Sequence, residues 1–177
     1  MVLNTKDGTV VPTVMSNFGF FKALEELGLK YKQTDVGDKY VYACMREHGY
    51  SLGGEQSGHI IFGDLENTGD GIMTSLRIME VVRAEKESLS TLVRPVKLYP
   101  QLLVNVPVSD RDAAMEDPAV KAAEAEANRF LAGSGRCFVR ASGTEQLVRV
   151  LAEAPTDELC RQADDIVLKE LARYRVD

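Results

Sequence analysis

Arg140-Ala141-Ser142-Gly143-Thr144-Glu145-Gln146-Leu147-Val148-Arg149 lies between two apolar runs, Cys137-Phe138-Val139 before it and Val150-Leu151 closing it. Apolar, β-branched runs on either side of a polar, glycine-containing break predict a strand, a tight turn and a second strand. Working outward, residues 101–106 predict another strand and residues 118–132 a helix. Residues 156–174 predict a closing helix: Thr156 caps it, Asp157 and Glu158 favour the positive end of its dipole, and Leu159, Ala163, Ile166 and Leu171 predict its buried stripe. Strand, helix, strand, strand, helix is an α+β module, which we place at residues 99–177.

The turn itself has chemistry. Gly143 allows the backbone to curl so that several N–H groups converge. Ser142 and Thr144 add hydroxyls, and Arg140 and Arg149 add forked, charged donors on either side. Such a cup suits a doubly charged phosphate. An ordinary polar hairpin turn accounts for the same residues.

Upstream the pattern is different. Residues 9–15 predict a buried strand. Ser16-Asn17 caps a helix carrying Phe18, Phe21 and Leu24, and Gly28 closes it. Residues 31–36 predict a second strand. A second helix starts at Gly37-Asp38, with Asp38 as its cap, and places Tyr40, Val41, Cys44 and Met45 on one face. Residues 51–62 predict a loop feeding a strand at Ile60-Ile61-Phe62. A third helix, capped by Asp70 in the turn Asn67-Thr68-Gly69-Asp70-Gly71, points Ile72, Leu76, Met79 and Val82 inward. Strands alternating with helices predict an α/β, βαβ-type domain with a mostly parallel sheet over residues 1–88. Residues 89–98 form a linker near Pro95 and Pro100. The smaller α+β domain follows. The opening Met1-Val2-Leu3-Asn4-Thr5 runs directly towards a strand, as if the chain began inside a larger protein and its first domain were truncated at its start.

Composition narrows the function classes. The 177 residues carry a net charge of −6, which argues against broad electrostatic binding of nucleic acid. No apolar run reaches the length of a membrane span and no cleavable signal is visible, so a membrane partner is not expected. Three widely spaced cysteines, Cys44, Cys137 and Cys160, predict reduced thiols packed as small apolar residues in a cytoplasmic protein, not metal ligands.

A second motif is Gly53-Gly54-Glu55-Gln56-Ser57-Gly58-His59. A carboxylate can accept from two neighbouring sugar hydroxyls, and Ser57 and His59 can each donate or accept. A glycine-rich turn with local capping by Glu55 accounts for the residues equally well. A Ser-His-acid hydrolase is disfavoured, because Ser57 and His59 are two residues apart and no nucleophile elbow is present. At Gly37-Asp38-Lys39 a lysine at a helix start could meet a phosphate, but a solvated lysine is the commoner outcome. Asn67 to Gly71 has too few acids for a calcium loop.

Both motifs resemble those of the α-D-phosphohexomutases. Gly53-Gly54-Glu55-Gln56-Ser57-Gly58-His59-Ile60-Ile61 and Arg140-Ala141-Ser142-Gly143-Thr144-Glu145 carry the likeness, supported by Thr13-Val14-Met15-Ser16-Asn17 and Val36-Gly37-Asp38. Glu55-Gln56-Ser57 and the Arg-Ala-Ser-Gly-Thr-Glu wording are most similar to the branch that interconverts glucosamine 6-phosphate and glucosamine 1-phosphate through a bisphosphate. The resemblance spans essentially the whole chain, but only the third and fourth of the family's four domains. It implies that Glu55, Ser57 and His59 contact the sugar, and that Arg140, Ser142, Gly143, Thr144 and Arg149 hold the phosphate that is not reacting. It implies a phosphoserine and a Mg²⁺-binding aspartate loop in the preceding domains. Neither loop occurs in this sequence, so the chain contributes no catalytic residue and no metal ligand, and is inactive alone. Gln146 stands where proline is usual, and Lys39 where arginine is common. The partners implied are a hexosamine phosphate and the N-terminal domains of the same enzyme. A non-catalytic module that binds a phosphosugar or a protein, and a glucose- or mannose-phosphate specificity, remain as alternatives.

Overall fold

The computed structural model describes residues 8–176. The opening segment 1–5 lies outside the described residues. The chain divides into two compact units, Met1–Leu98 and Tyr99–Asp177.

In the first unit, β1 (Thr9–Pro12), α1 (Phe18–Glu26), β2 (Lys30–Tyr31), α2 (Asp38–His48), β3 (Leu52–Gly54), β4 (Ile60–Phe62), α3 (Gly71–Glu85) and the short α4 (Leu89–Leu92) follow in order. The sheet order is β2-β1-β3-β4, with β1 parallel to both neighbours and β4 antiparallel to β3. Asn17 caps α1 by accepting from the Gly19 N–H, and Gly28 follows the helix in the left-handed conformation at φ 66°. Asp70 caps α3 by accepting from the Met73 N–H.

Four local expectations need correction. The predicted strand 31–36 survives only as β2 and an isolated bridge at Thr34. Lys32 and Thr34 donate to the carbonyls of Val10 and Pro12, but Pro12 has no N–H to return, so the ladder loses a rung there. The predicted loop over 51–59 contains a real strand, β3. Its glycines disguise it, yet a side chain has no room: a Cβ on Gly53 would lie 2.5 Å from Val41 and 2.6 Å from Met45 of α2. Third, Gly37, not Asp38, is the cap residue of α2; Asp38 is its first residue and accepts from the Lys39 N–H. Finally, α3 does not turn its apolar stripe inward. Ile72 is 77% exposed, Met79 57% and Leu76 49%, and Val82 is half-buried. Helical periodicity creates an apolar face, but burial also needs an element to cover it, and none of the described residues does so.

In the second unit, β5 (Gln101–Pro107), α5 (Arg111–Glu116), α6 (Pro118–Leu131), β6 (Arg136–Ala141), β7 (Leu147–Glu153) and α7 (Asp157–Leu171) form an antiparallel sheet, β5-β7-β6, with α6 and α7 packed together on it. Val148, Val150 and Ala152 of β7 meet Ala123, Ala127 and Leu131 of α6 and Cys160, Ala163 and Val167 of α7 in one core. Thr156 caps α7 as expected. Its buried stripe is Cys160, Ala163, Asp164, Val167 and Leu171, offset from the predicted one, with Leu159 and Ile166 only half-buried. Glu153 is buried and receives the Arg136 Nε and the Gln101 amide, so its charge is paired. Cys137 and Cys160 pack as core residues, whereas Cys44 is partly exposed. Sequence periodicity missed α5, whose six residues are too few to establish a helical pattern.

Candidate functional site

The glycine-rich motif forms the tip of the β3–β4 hairpin. The Glu55 N–H donates to the His59 carbonyl at 2.9 Å, and Gly58 takes φ 98°, which a side chain rarely tolerates. Glu55 is only 9% exposed through its side chain. One of its oxygens, Oε1, accepts from the Gly37 N–H at 2.7 Å, which ties the tip to the start of α2. The other, Oε2, accepts from the Ser57 hydroxyl at 3.2 Å. Ser57 Oγ is also 2.9 Å from His59 Nδ1.

These three contacts define a directed chain. With the Ser57 hydroxyl donating to Glu55, Ser57 Oγ can accept from His59 Nδ1–H in the tautomer that carries its proton there, which leaves Nε2 for an external group. Ser57 and His59 do meet despite their short separation. The arrangement is nevertheless the wrong way round for a hydrolase, where the serine must donate to the histidine and the acid must hold the opposite ring nitrogen. His59 is half exposed and stands over Gly69, where a Cβ would come within 2.8 Å of the His59 Cβ. Gly37 and Gly69 support the tip, and nothing in their local sequence marks them for that role.

The second motif joins β6 to β7. Register places Arg140 directly opposite Arg149. Like charges so placed repel. Among the described residues Arg140 has no carboxylate within ion-pair distance, and burial, followed by the Arg149 charge, holds its pKa below the usual arginine range. Arg149 has a 3.4 Å contact to Glu145 through Nη2, while its Nε is buried without a partner. Gly143 and Thr144 are exposed at the tip. Ser142 is different: it is 2% exposed, its N–H donates to the Leu147 carbonyl at 3.0 Å, and its Oγ accepts from the Glu145 N–H at 3.3 Å. Its hydroxyl braces the turn from inside.

The segment after β5 stitches to this turn. Val108 N–H donates to the Gln146 carbonyl at 3.2 Å, the Gln146 amide donates to the Ser109 carbonyl at 3.4 Å, and Arg111 Nη1 donates to the Ser142 carbonyl at 2.8 Å. Arg111 is a residue that motif reading missed, because it lies thirty-one positions before the carbonyl it holds. Lys39 stays exposed, with its ammonium 4.8 Å from the Tyr40 ring centre. Among the described residues no three or more His, Cys, Asp or Glu side chains converge on a point, so they offer no fit to a metal ion. No helix among them is long and apolar enough to cross a membrane.

Comparison with known proteins matches both units. Phosphoglucomutase/phosphomannomutase, alpha/beta/alpha domain III, matches residues 2–99, and the phosphoglucomutase/phosphomannomutase C-terminal domain matches residues 103–170. A phosphoglucosamine mutase from Geobacillus thermodenitrificans is 52% identical over 170 residues, which is 94% of this chain and 38% of the relative. One from Lachnospira eligens is 54% identical, over 90% of this chain and 35% of its own length. Among solved structures, an N-acetylglucosamine-phosphate mutase of the alpha-D-phosphohexomutase superfamily, in its substrate complex, is 27% identical with a TM-score of 0.70, covering 91% of this chain and 38% of that one. The chain thus spans little more than a third of the relatives it matches. It belongs to the phosphoglucomutase/phosphomannomutase family, of which it carries domain III and the C-terminal domain.

Proposed function

We propose that this chain is the substrate- and phosphate-binding C-terminal portion of a cytoplasmic phosphoglucosamine mutase, which interconverts glucosamine 6-phosphate and glucosamine 1-phosphate through a bisphosphate intermediate. The observation that carries the reading is the cross-strand pair Arg140 and Arg149 beside the exposed Gly143-Thr144 tip. Two adjacent guanidiniums, one without a carboxylate and one with a buried, unpartnered Nε, form a site whose repulsion an anion relieves.

In this reading Arg140, Gly143, Thr144 and Arg149 hold the phosphate that is not reacting, with Ser142 keeping the turn in shape. Donors of this kind grip a phosphate whichever sugar carbon bears it. That suits a bisphosphate that must present each end in turn. Glu55, Ser57 and His59 serve the sugar. Glu55 and Ser57 hold His59 in one tautomer, so that Nε2 accepts from a hydroxyl when neutral and donates to an anion when charged. Positioning of this kind is where much of phosphoryl-transfer catalysis arises. The phosphoserine and Mg²⁺ implied by the family resemblance belong to preceding domains of the parent enzyme, and this chain alone is inactive.

The test is an NMR titration of the chain with glucosamine 6-phosphate. Amides of residues 140–144 are expected to shift. Arg140→Ala is expected to weaken binding by about 10–100-fold, the worth of a charge-assisted hydrogen bond. Unmoved amides in the wild-type chain would overturn the phosphate site, and turnover by the purified chain would overturn its inactivity. Parallel titrations with glucose 6-phosphate and mannose 6-phosphate test the sugar preference.

A further inference from the structure

Arg111 holds the 142–146 turn through a backbone carbonyl. It is the first residue of α5, and its Nη1 donates to the Ser142 carbonyl at 2.8 Å. Its Nε lies 3.2 Å from Asp112 Oδ1, so the guanidinium is braced by its own neighbour. Its side chain is 29% exposed.

The consequence follows from peptide geometry. The Ser142 carbonyl and the Gly143 N–H belong to one planar, trans peptide unit, so they point in opposite directions. A donor fixed on that carbonyl therefore aims the Gly143 N–H to the far side. Gly143 is exposed and a Cβ there would meet nothing, so the residue alone offers no restraint on the orientation of that plane. The Ser142 N–H and Oγ fix the preceding peptide and the end of the turn, through Leu147 and Glu145, and leave the plane between Ser142 and Gly143 to Arg111. Polarising the carbonyl also strengthens the N–H of the same unit as a donor.

We propose that Arg111 is a positioning residue of the phosphate site: it does not touch the phosphate but sets the Gly143 N–H as a donor to it. This rests on the phosphate reading of the turn given above. The experiment titrates the intact chain with inorganic phosphate and with glucosamine 6-phosphate, following backbone amides and arginine Nε–H signals, in the wild type and in Arg111→Met. In the wild type, the Gly143 amide is expected to shift strongly and the Arg111 Nε–H weakly. In Arg111→Met, the Gly143 response is expected to disappear and affinity to fall about 5–10-fold, while Arg140 still responds.

Wild-type affinity with an unchanged Gly143 response in the variant overturns the positioning role. So does an Arg111 Nε–H shift as large as that of Arg140 in the wild type, since it makes Arg111 a direct ligand. If Arg111→Met does not fold, Arg111→Lys is judged by the same criteria; it keeps the charge, loses the fixed fork, and is expected to bind about 3-fold more weakly with a reduced Gly143 response. Absence of any response at 140–144 in the wild type is a separate result, because it removes the phosphate site itself.

Discussion

In the second unit, two helices cover one face of a three-stranded sheet, and β6, β7, α6 and α7 share one continuous core. In the first, Val11, Val41, Met45 and Ile61 form a small cluster between the sheet and α2, and α1 buries Phe21, Ala23 and Leu24. The unit is less closed elsewhere: an apolar groove of about 390 Å³ is lined by Val10, Pro12, Phe20, Leu52 and Ile60, and α3 exposes Ile72 and Met79. Val11 faces α2, whereas Val10, Leu52 and Ile60 line the groove together with Phe20 of α1, so the helix on that side covers the sheet only in part. The two turns thus stand on supports of unequal closure, the 142–146 turn on the closed core and the 55–59 tip on the more open one.

The largest predicted effect tests the closed core. Leu131 is 1% exposed within it, and Leu131→Ala is expected to cost about 2–5 kcal/mol. The chain has no tryptophan, so urea denaturation followed by circular dichroism is the suitable measurement. A cost below about 1 kcal/mol would show that this core is looser than its packing implies.

Asp164 marks the flaw in the same core. It is 1% exposed, and neither carboxylate oxygen has a hydrogen-bond partner. Burial first, and the charge of Asp165 second, push its pKa up to about 7 from 3.8. The folded state therefore holds this proton more tightly than the unfolded chain does. Its contribution is most favourable below about pH 4, is lost as pH rises towards 7, and stays lost above it. Asp164→Val is expected to stabilise the protein by a few kcal/mol at pH 8 and by much less at pH 4. Equal gains at both pH values, in the same denaturation experiment, would show that the carboxyl is not the source.

The open unit is tested where it is tightest. Gly53→Ala places a Cβ against Val41 and Met45 and is expected to cost about 1–3 kcal/mol by overpacking. If the small cluster adapts freely, the cost vanishes and the 55–59 tip tolerates motion beneath it. The smallest effect belongs to α3. Ile72→Lys combined with Met79→Lys is expected to change stability by no more than about 0.5 kcal/mol in this chain, because neither side chain is buried. A loss above 1 kcal/mol would mean that this face is covered in solution, and would narrow the contrast between the units.

Much of this molecule is legible locally. Asn17, Asp70 and Thr156 cap their helices, Gly28 ends one, and the turn at residues 142–146 sits between two strands, because capping and turn formation depend on residues within a few positions. The two motifs, in order, carry the family likeness within the sequence itself. The boundaries were less legible. Pro12 shortens β2 from across the ladder, and Gly53 belongs to a strand because α2 needs the space.

The sequence by itself determined most of the elements, the chemistry of the two turns and the family to which they belong. The tertiary structure decided which faces are covered, with Asp164 inside and Ile72 outside against the local pattern. It also decided that Arg140 and Arg149 stand side by side, that Glu55 is held by Gly37, and that Arg111 reaches Ser142. Periodicity, caps and turns act over a few residues. Burial, register and hydrogen-bond partnership depend on neighbours distant in the chain, which only the folded arrangement brings together.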